Sequence, residues 1–136
     1  MTHSPMHEDC QTFRFGTWQW CVDTAEELIR DDPSAATLVA EGDISGLGKL
    51  LPFHPDPPGV VPLIRVHVDI DYAMTTDLSK PIIAARLVSE AGEDCGVVVV
   101  DGWHRVFRAL WEGRVHLPTY LLSNETERAC RIPIFI

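Results

Sequence analysis

The sequence predicts an α+β fold: a small mixed sheet with one helix on a face, and a strand–helix segment added at the N-terminus. Three observations carry this. An unbroken apolar run, Val97–Val100, ends in Asp101-Gly102 and passes directly into a stretch of helical period. Segments rich in β-branched and other apolar residues flank it, at Pro81–Val88 and Val115–Leu122. The length of 136 residues suits one domain, and 46% apolar with 23% charged residues is the balance of a globular chain. A chain near this size buries about two-thirds of its unfolded surface, enough for a core without disulfides. Residues 1–62 read as an N-terminal extension packed on a core of residues 63–136, the two making one structural domain.

Taken in order, Phe13–Val22 is aromatic and β-prone, and Gly16 interrupts it, so one strand with a bend or bulge is expected. Asp23 or Thr24 caps a following helix, whose first turn holds Glu26 and Glu27. Pro33 bounds that helix, and Ala35–Glu41 is expected to form another short one. Gly42–Pro62, with four glycines and five prolines, is a long irregular connection. Ile64, Val66, Val68 and Ile70 alternate with Arg65, His67 and Asp69, the pattern of a half-buried strand. Met74–Ser79 is a turn or short helix. Pro81–Val88 is a strand with proline at its permitted first position. Ser89–Gly96 is a polar hairpin-like loop, and Val97–Val100 suits a strand covered on both faces. In Trp103–Glu112 one face carries Trp103, Val106, Phe107, Leu110 and Trp111, and the other His104, Arg105, Arg108 and Glu112. Gly113 stops this helix, and Val115–Leu122 is the last strand.

The formal net charge of −9 disfavours a nucleic-acid binder, which must replace counterions along the phosphates. The charge is uneven: residues 1–100 carry 6 basic and 16 acidic side chains, and the remainder 5 basic, all arginine, and 4 acidic. The four cysteines, Cys10, Cys21, Cys95 and Cys130, form no C-x-x-C pair and read as thiols in a reducing compartment. The first residues show no apolar signal region, and no run reaches the ~20 residues of a membrane helix. A cytoplasmic protein without membrane contact is expected. His3, His7 and Cys10 could ligate a soft metal, but no fourth ligand is near; no metal-binding residue is assigned.

The chemistry-bearing stretch is Asp101-Gly102-Trp103-His104-Arg105-Val106-Phe107-Arg108. Free amides at a helix N-terminus attract an anion, typically phosphate. Gly102 admits a close approach, and Arg105 can add a bidentate grip. His104 and Arg108 fall on the same polar side. Asp101 is the nearest carboxylate for a catalytic role, with capping or turn formation equally suited to it. Lys80, one of two lysines, could touch a phosphate or stand free in solvent. Glu26 and Glu27 could reach a site from the first helix, though helix N-terminal acids have a simpler role there. Trp103 is either a lid over a base or part of the core. His67 and His116 point outward on strands.

Asp101-Gly102-Trp103-His104-Arg105, between an apolar strand and a helix ending at Gly113, resembles the ParB/sulfiredoxin-like superfamily. Leu78-Ser79-Lys80-Pro81-Ile82-Ile83 resembles the segment leading into that family's second strand. Gly113-Arg114-Val115-His116-Leu117-Pro118-Thr119-Tyr120 resembles its closing strand. The likeness spans about Ile64 to Leu122 and leaves residues 1–60 unexplained. It implies a nucleotide site with Gly102, His104 and Arg105 around the phosphates; by their positions in the sequence, Trp103, Arg108 and Lys80 join these as candidate cofactor-binding residues. ATP, ADP or CTP would then be the cofactor, with Mg²⁺, and Asp101 and His104 the catalytic groups. Trp103 stands where sulfiredoxins keep their nucleophilic cysteine, which argues against sulfinic acid reduction and makes the cysteines dispensable for chemistry. Partition proteins have Glu-Arg at Trp103-His104 and continue into a helix-turn-helix domain. Only 31 residues follow Arg105, a strand and a proline-bearing tail, so no duplex DNA binding is expected. Relatives that phosphorylate a small molecule such as free serine suit an isolated acidic domain best. The expectation is thus Mg-dependent phosphoryl transfer or nucleotide hydrolysis on a small molecule, as by a kinase or nucleotidase. A noncatalytic, nucleotide-responsive or protein-binding module of the same fold is the alternative. A homo-oligomer or protein partner is left open.

Overall fold

The two faces of the central sheet differ by one residue of register, and each has its own helical cover. In the strand β4 (Ile82–Val88), Ile83, Ala85 and Leu87 point one way and Ile82 the other. A computed structural model describes residues 11–16, 18–62, 64–89 and 91–132. The expected donors His3, His7 and Cys10 and the Pro133 tail lie outside the described residues.

The main sheet has the order β3–β6–β4–β5, with β3 Ala36–Asp43, β5 Asp94–Asp101 and β6 His116–Leu122. The β3–β6 and β4–β5 pairs are antiparallel, and β4–β6 is parallel. The sheet is therefore mixed, and with the helices the fold is α+β, as the sequence predicts. A second, two-stranded antiparallel sheet pairs β1 (Thr12–Phe15) with β2 (Trp18–Cys21). One face of the main sheet packs Ile82, Val99 and Leu117 against Trp103, Val106 and Phe107 of helix α3 (Trp103–Trp111). The other face packs Ile83, Ala85, Val98 and Val100 against Trp20, Ala25 and Cys130. Those last three belong to β2, to α1 (Val22–Asp31) and to α4 (Asn124–Cys130). A single helical turn, α2 (Ile70–Ala73), leans on α3.

Several elements differ from the sequence expectation. Phe13–Val22 is a hairpin rather than one bent strand, because Gly16 takes φ 63° and reverses the chain. The cap of α1 is Cys21, whose Sγ accepts the Thr24 amide at 3.4 Å, not Asp23 or Thr24; the Asp23 carboxylate accepts the Gln11 amide instead. Ala35–Glu41 is not a helix but most of the edge strand β3. Its residues are largely exposed, and pairing with β6 decides its conformation. Pro118 lies in β6 where the β3 register shifts between Val39 and Gly42, and such an irregularity tolerates the missing proline amide.

The expected strand Ile64–Ile70 does not form: residues 64–69 have no regular secondary structure and no neighbouring strand pairs with them, and Ile70 opens α2. The alternation reflects burial of Val66 and partial burial of Val68 against the α3 side of the core. The strand β5 sits at a sheet edge and is covered on both faces only from Val98 to Val100; Val97 is 54% exposed. The segment after β6 holds α4, which the sequence reading missed. Ser123 caps it by accepting the Thr126 amide at 3.1 Å, and Glu125 and Glu127 occupy its first turn.

Candidate functional site

Asp101 is the last residue of β5, and Gly102 turns the chain into α3. Gly102 has φ 102°, a region L side chains avoid. A Cβ there would lie 2.5 Å from Ile82 Cγ2, so glycine is required for packing on β4. The turn sets Asp101 and Arg105 one helical turn apart, with Nη2 of Arg105 3.6 Å from the Asp101 carboxylate. Both are well covered, their side chains 15% and 18% exposed. Arg105 Nη1 also donates to the carbonyls of Lys80 at 2.9 Å and Pro81 at 2.5 Å. The arginine thus ties α3 to the start of β4.

These groups open onto a cleft of about 550 Å³ between α1, the start of β4 and the end of β5. Glu26 and Arg30 of α1, Lys80, Asp101, Arg105 and Tyr120 line it. Burial pushes the Asp101 carboxyl above its ordinary value; Arg105 and the Gly102 amide oppose this, and Asp23 adds to it. Glu26 is also pushed up, by burial first and then by the negative charge of Asp101 and Asp23. Two carboxylates that resist ionisation therefore share one cleft with three cationic side chains.

The other expected site residues lie elsewhere. Trp103 is buried in the core, stacks on Phe13 and donates its indole N–H to the Val99 carbonyl at 2.9 Å. His104 faces α2: its Nε2 accepts the Asp69 amide at 3.2 Å, and Tyr72 meets its ring edge-on. Arg108 donates to the Thr76 carbonyl and pairs with Glu112, stapling α3 to the turn after α2. The cleft brings together Asp101, Arg105 and Lys80, and does not include Trp103, His104 or Arg108. Sequence reasoning misses Arg30 and Tyr120, and for Glu26 it offers both a reach into a site and the simpler helix-terminal role; the structure places Glu26 in the cleft. The i, i+4 spacing of Glu26 and Arg30 was the available signal. Cys21 and Cys130 are buried beneath α1 and α4, and Cys95 is exposed on β5. Burial first, then neighbouring Cys21 and Glu127, push the Cys130 thiol up to about 12.

Among the described residues, no three His, Cys, Asp or Glu side chains gather to hold a metal ion. Glu26 and Asp101 are the carboxylates available in the cleft. One or two carboxylates suit Mg²⁺ that arrives on phosphate groups, rather than an ion caged by protein alone. No described helix is long and apolar enough to cross a membrane. Fold and cleft together define a class: an α+β protein with a mixed four-stranded sheet and a charged cleft where a β-strand turns into its helix. Comparison with models of known families, with curated proteins and with solved structures gives no match.

The raised Asp101 carboxyl has a consequence for stability. The folded state holds its proton more tightly than the unfolded chain. In the window between the ordinary value of 3.8 and the higher folded value, the folded state therefore loses stability as pH rises. Asp101→Asn removes that contribution. Denaturant midpoints should shift in favour of the variant as pH rises through this window; a difference constant with pH would refute the assignment.

Proposed function

We propose that the cleft binds the phosphates of a nucleotide, such as ATP, ADP or CTP, and supports phosphoryl transfer to a small molecule or hydrolysis. The observation that carries this is the pairing of Lys80, Arg30 and Arg105 with two partly desolvated carboxylates around one cleft. The cations are suited to hold phosphate oxygens, Lys80 and Arg30 most freely, because Arg105 already serves two carbonyls. Asp101, whose burial raises its carboxyl and so its basicity, is suited to take a proton from an acceptor hydroxyl, and Glu26 to act beside it. Mg²⁺ entering with the nucleotide would neutralise charge on the phosphates. The resemblance to the ParB/sulfiredoxin-like superfamily agrees with a phosphate site at this turn. In this reading Gly102 shapes the turn, and Trp103, His104 and Arg108 hold α3 in place.

One observation favours a noncatalytic, nucleotide-responsive module instead: the Arg105 guanidinium is engaged by Lys80, Pro81 and Asp101, as a structural tie would be. Calorimetric titration with ATP, ADP and CTP in the presence of Mg²⁺, followed by phosphorus NMR of product formation, separates the two. Binding with turnover supports an enzyme, and binding without turnover supports the module. Lys80→Ala is the clean variant, since the Lys80 side chain is exposed and the Arg105 bond uses its carbonyl. It should weaken nucleotide binding about tenfold with unchanged melting, whereas exposed Arg114→Ala leaves both alone. Undiminished affinity in Lys80→Ala, or no binding of any of the three nucleotides, defeats the cleft as a phosphate site. Duplex DNA is not a proposed partner, given the −9 charge.

A further inference from the structure

A second cavity, of about 570 Å³, lies between the β1–β2 hairpin and the extended segment at 64–67. Its charged lining is entirely basic or potentially so: Arg14 from β1, and Arg65 and His67 from the facing segment. Phe13 and Phe15 give it an apolar wall. In a chain of net charge −9 with only 11 lysines and arginines, two arginines and a histidine line one hollow, and among the described residues no acid lines it. Asp56 compensates Arg65, but Arg14 adds a second positive charge to the same hollow, which is unfavourable unless a further anion offsets it.

The hydrogen bonds of this region point the same way. The Val22 amide bonds the Gln11 carbonyl, and the hairpin register runs from Thr12↔Cys21 to Phe15↔Trp18. Bonded pairs alternate in an antiparallel ladder, so Phe13 and Phe15 carry the bonds to β2. The backbone N–H of Arg14 therefore points away from β2, toward the outer edge of β1. Arg65 pairs through Nη2 with Asp56, while its Nε is buried with no hydrogen-bond partner. A buried donor without a partner is costly in a folded protein. Asp56 thus leaves part of the Arg65 guanidinium unsatisfied, and His67 beside it is exposed.

We propose that this cavity is an oxyanion-binding site, separate from the cleft at α3, that takes the phosphate or carboxylate group of a small molecule. Arg14 contributes its guanidinium and backbone N–H. Arg65 contributes the outer donors of its guanidinium that Asp56 leaves open, and His67 a ring N–H. The phenylalanines accommodate an apolar part of the ligand.

The experiment is a titration of the full chain with inorganic phosphate and, separately, with acetate, followed by amide and arginine side-chain NMR shifts. Saturable shifts at Arg14, Arg65 and His67 are expected with at least one anion. Tighter phosphate binding assigns the site to phosphate esters, and equal or tighter acetate binding to carboxylates. Arg14→Gln, at an exposed position outside the core, should weaken the better anion about tenfold, while Lys80→Ala leaves it unchanged. Arg65→Lys keeps the charge, loses the planar fork of donors and should fall between. Shifts that do not saturate with either anion, or that survive Arg14→Gln at full affinity, overturn the proposal. Shifts that vanish in Lys80→Ala would assign the effect to the α3 cleft and also overturn it.

Discussion

Glu127→Ala is expected to destabilise the protein by about 3 kcal/mol, the scale for removing one partner of a buried ion pair. Glu127 is 3% exposed, on the inner face of α4. One carboxylate oxygen accepts the Trp20 indole N–H at 3.0 Å and the Arg131 Nε at 2.9 Å, and the other accepts Arg131 Nη2. The carboxylate therefore joins β2 to α4 across 107 residues of sequence. Its removal strands the Trp20 N–H, which is buried with its 1% exposed ring, and leaves Arg131 to find water. Arg131 is 39% exposed, so the effect sits at the lower end of the range for fully buried pairs. Thermal unfolding should fall by about 10 °C. Glu127→Gln, which keeps an acceptor for Trp20, should lose less. A loss below about 1 kcal/mol for the alanine variant would show the bridge to be incidental.

Gly102→Ala is expected to be comparably severe, at about 2–4 kcal/mol, because two penalties coincide. The backbone stays at φ 102°, and the new Cβ meets Ile82 Cγ2 at 2.5 Å and Cβ at 2.9 Å. Ile82 is 1% exposed and cannot swing aside. Gly102→Asn distinguishes the penalties: asparagine tolerates positive φ better than alanine but carries the same Cβ. Equal losses in the two variants are expected, since the contact dominates. Full stability of Gly102→Asn in denaturant titration would contradict the packing argument. The sequence suits this glycine to the close approach of a phosphate; the structure adds a packing reason, the contact with Ile82.

That contrast shows what the sequence carried and what it withheld. The strand–Gly–helix unit was legible because periodicity is local: the apolar run of β5, the helical spacing of Trp103, Val106 and Phe107, and Gly113 after them lie in one stretch. β4 and β6 were legible for the same reason. β3 was not, since Thr37, Leu38 and Val39 become a strand only through β6, some eighty residues on. Conversely, Ile64–Ile70 had the period of a strand but no partner, and one-sided burial alone produces that period. The cleft was half legible. Asp101 and Arg105 lie at helical spacing, and Lys80 precedes a strand. That α1 places Glu26 and Arg30 opposite them depends on how α1 crosses the sheet, which no local pattern records. Trp103, His104 and Arg108 shared a motif with Arg105, yet adjacency in sequence sent them to different sides of the helix.

The parallel seam between β4 and β6, with β3 added outside it, also governs how the chain reaches this structure. Of the three pairings in the main sheet, only β4–β5 is a local hairpin; the other two require residues 116–122. On a ribosome, β3 therefore waits for its partner through most of synthesis, with Leu38 and Val39 open to other chains. High contact order of this kind slows folding toward the millisecond-to-second range. Because β6 is the partner of both β3 and β4, substitutions in β6 are expected to slow refolding, whereas those in β3 chiefly hasten unfolding; refolding kinetics of the two sets of variants check this.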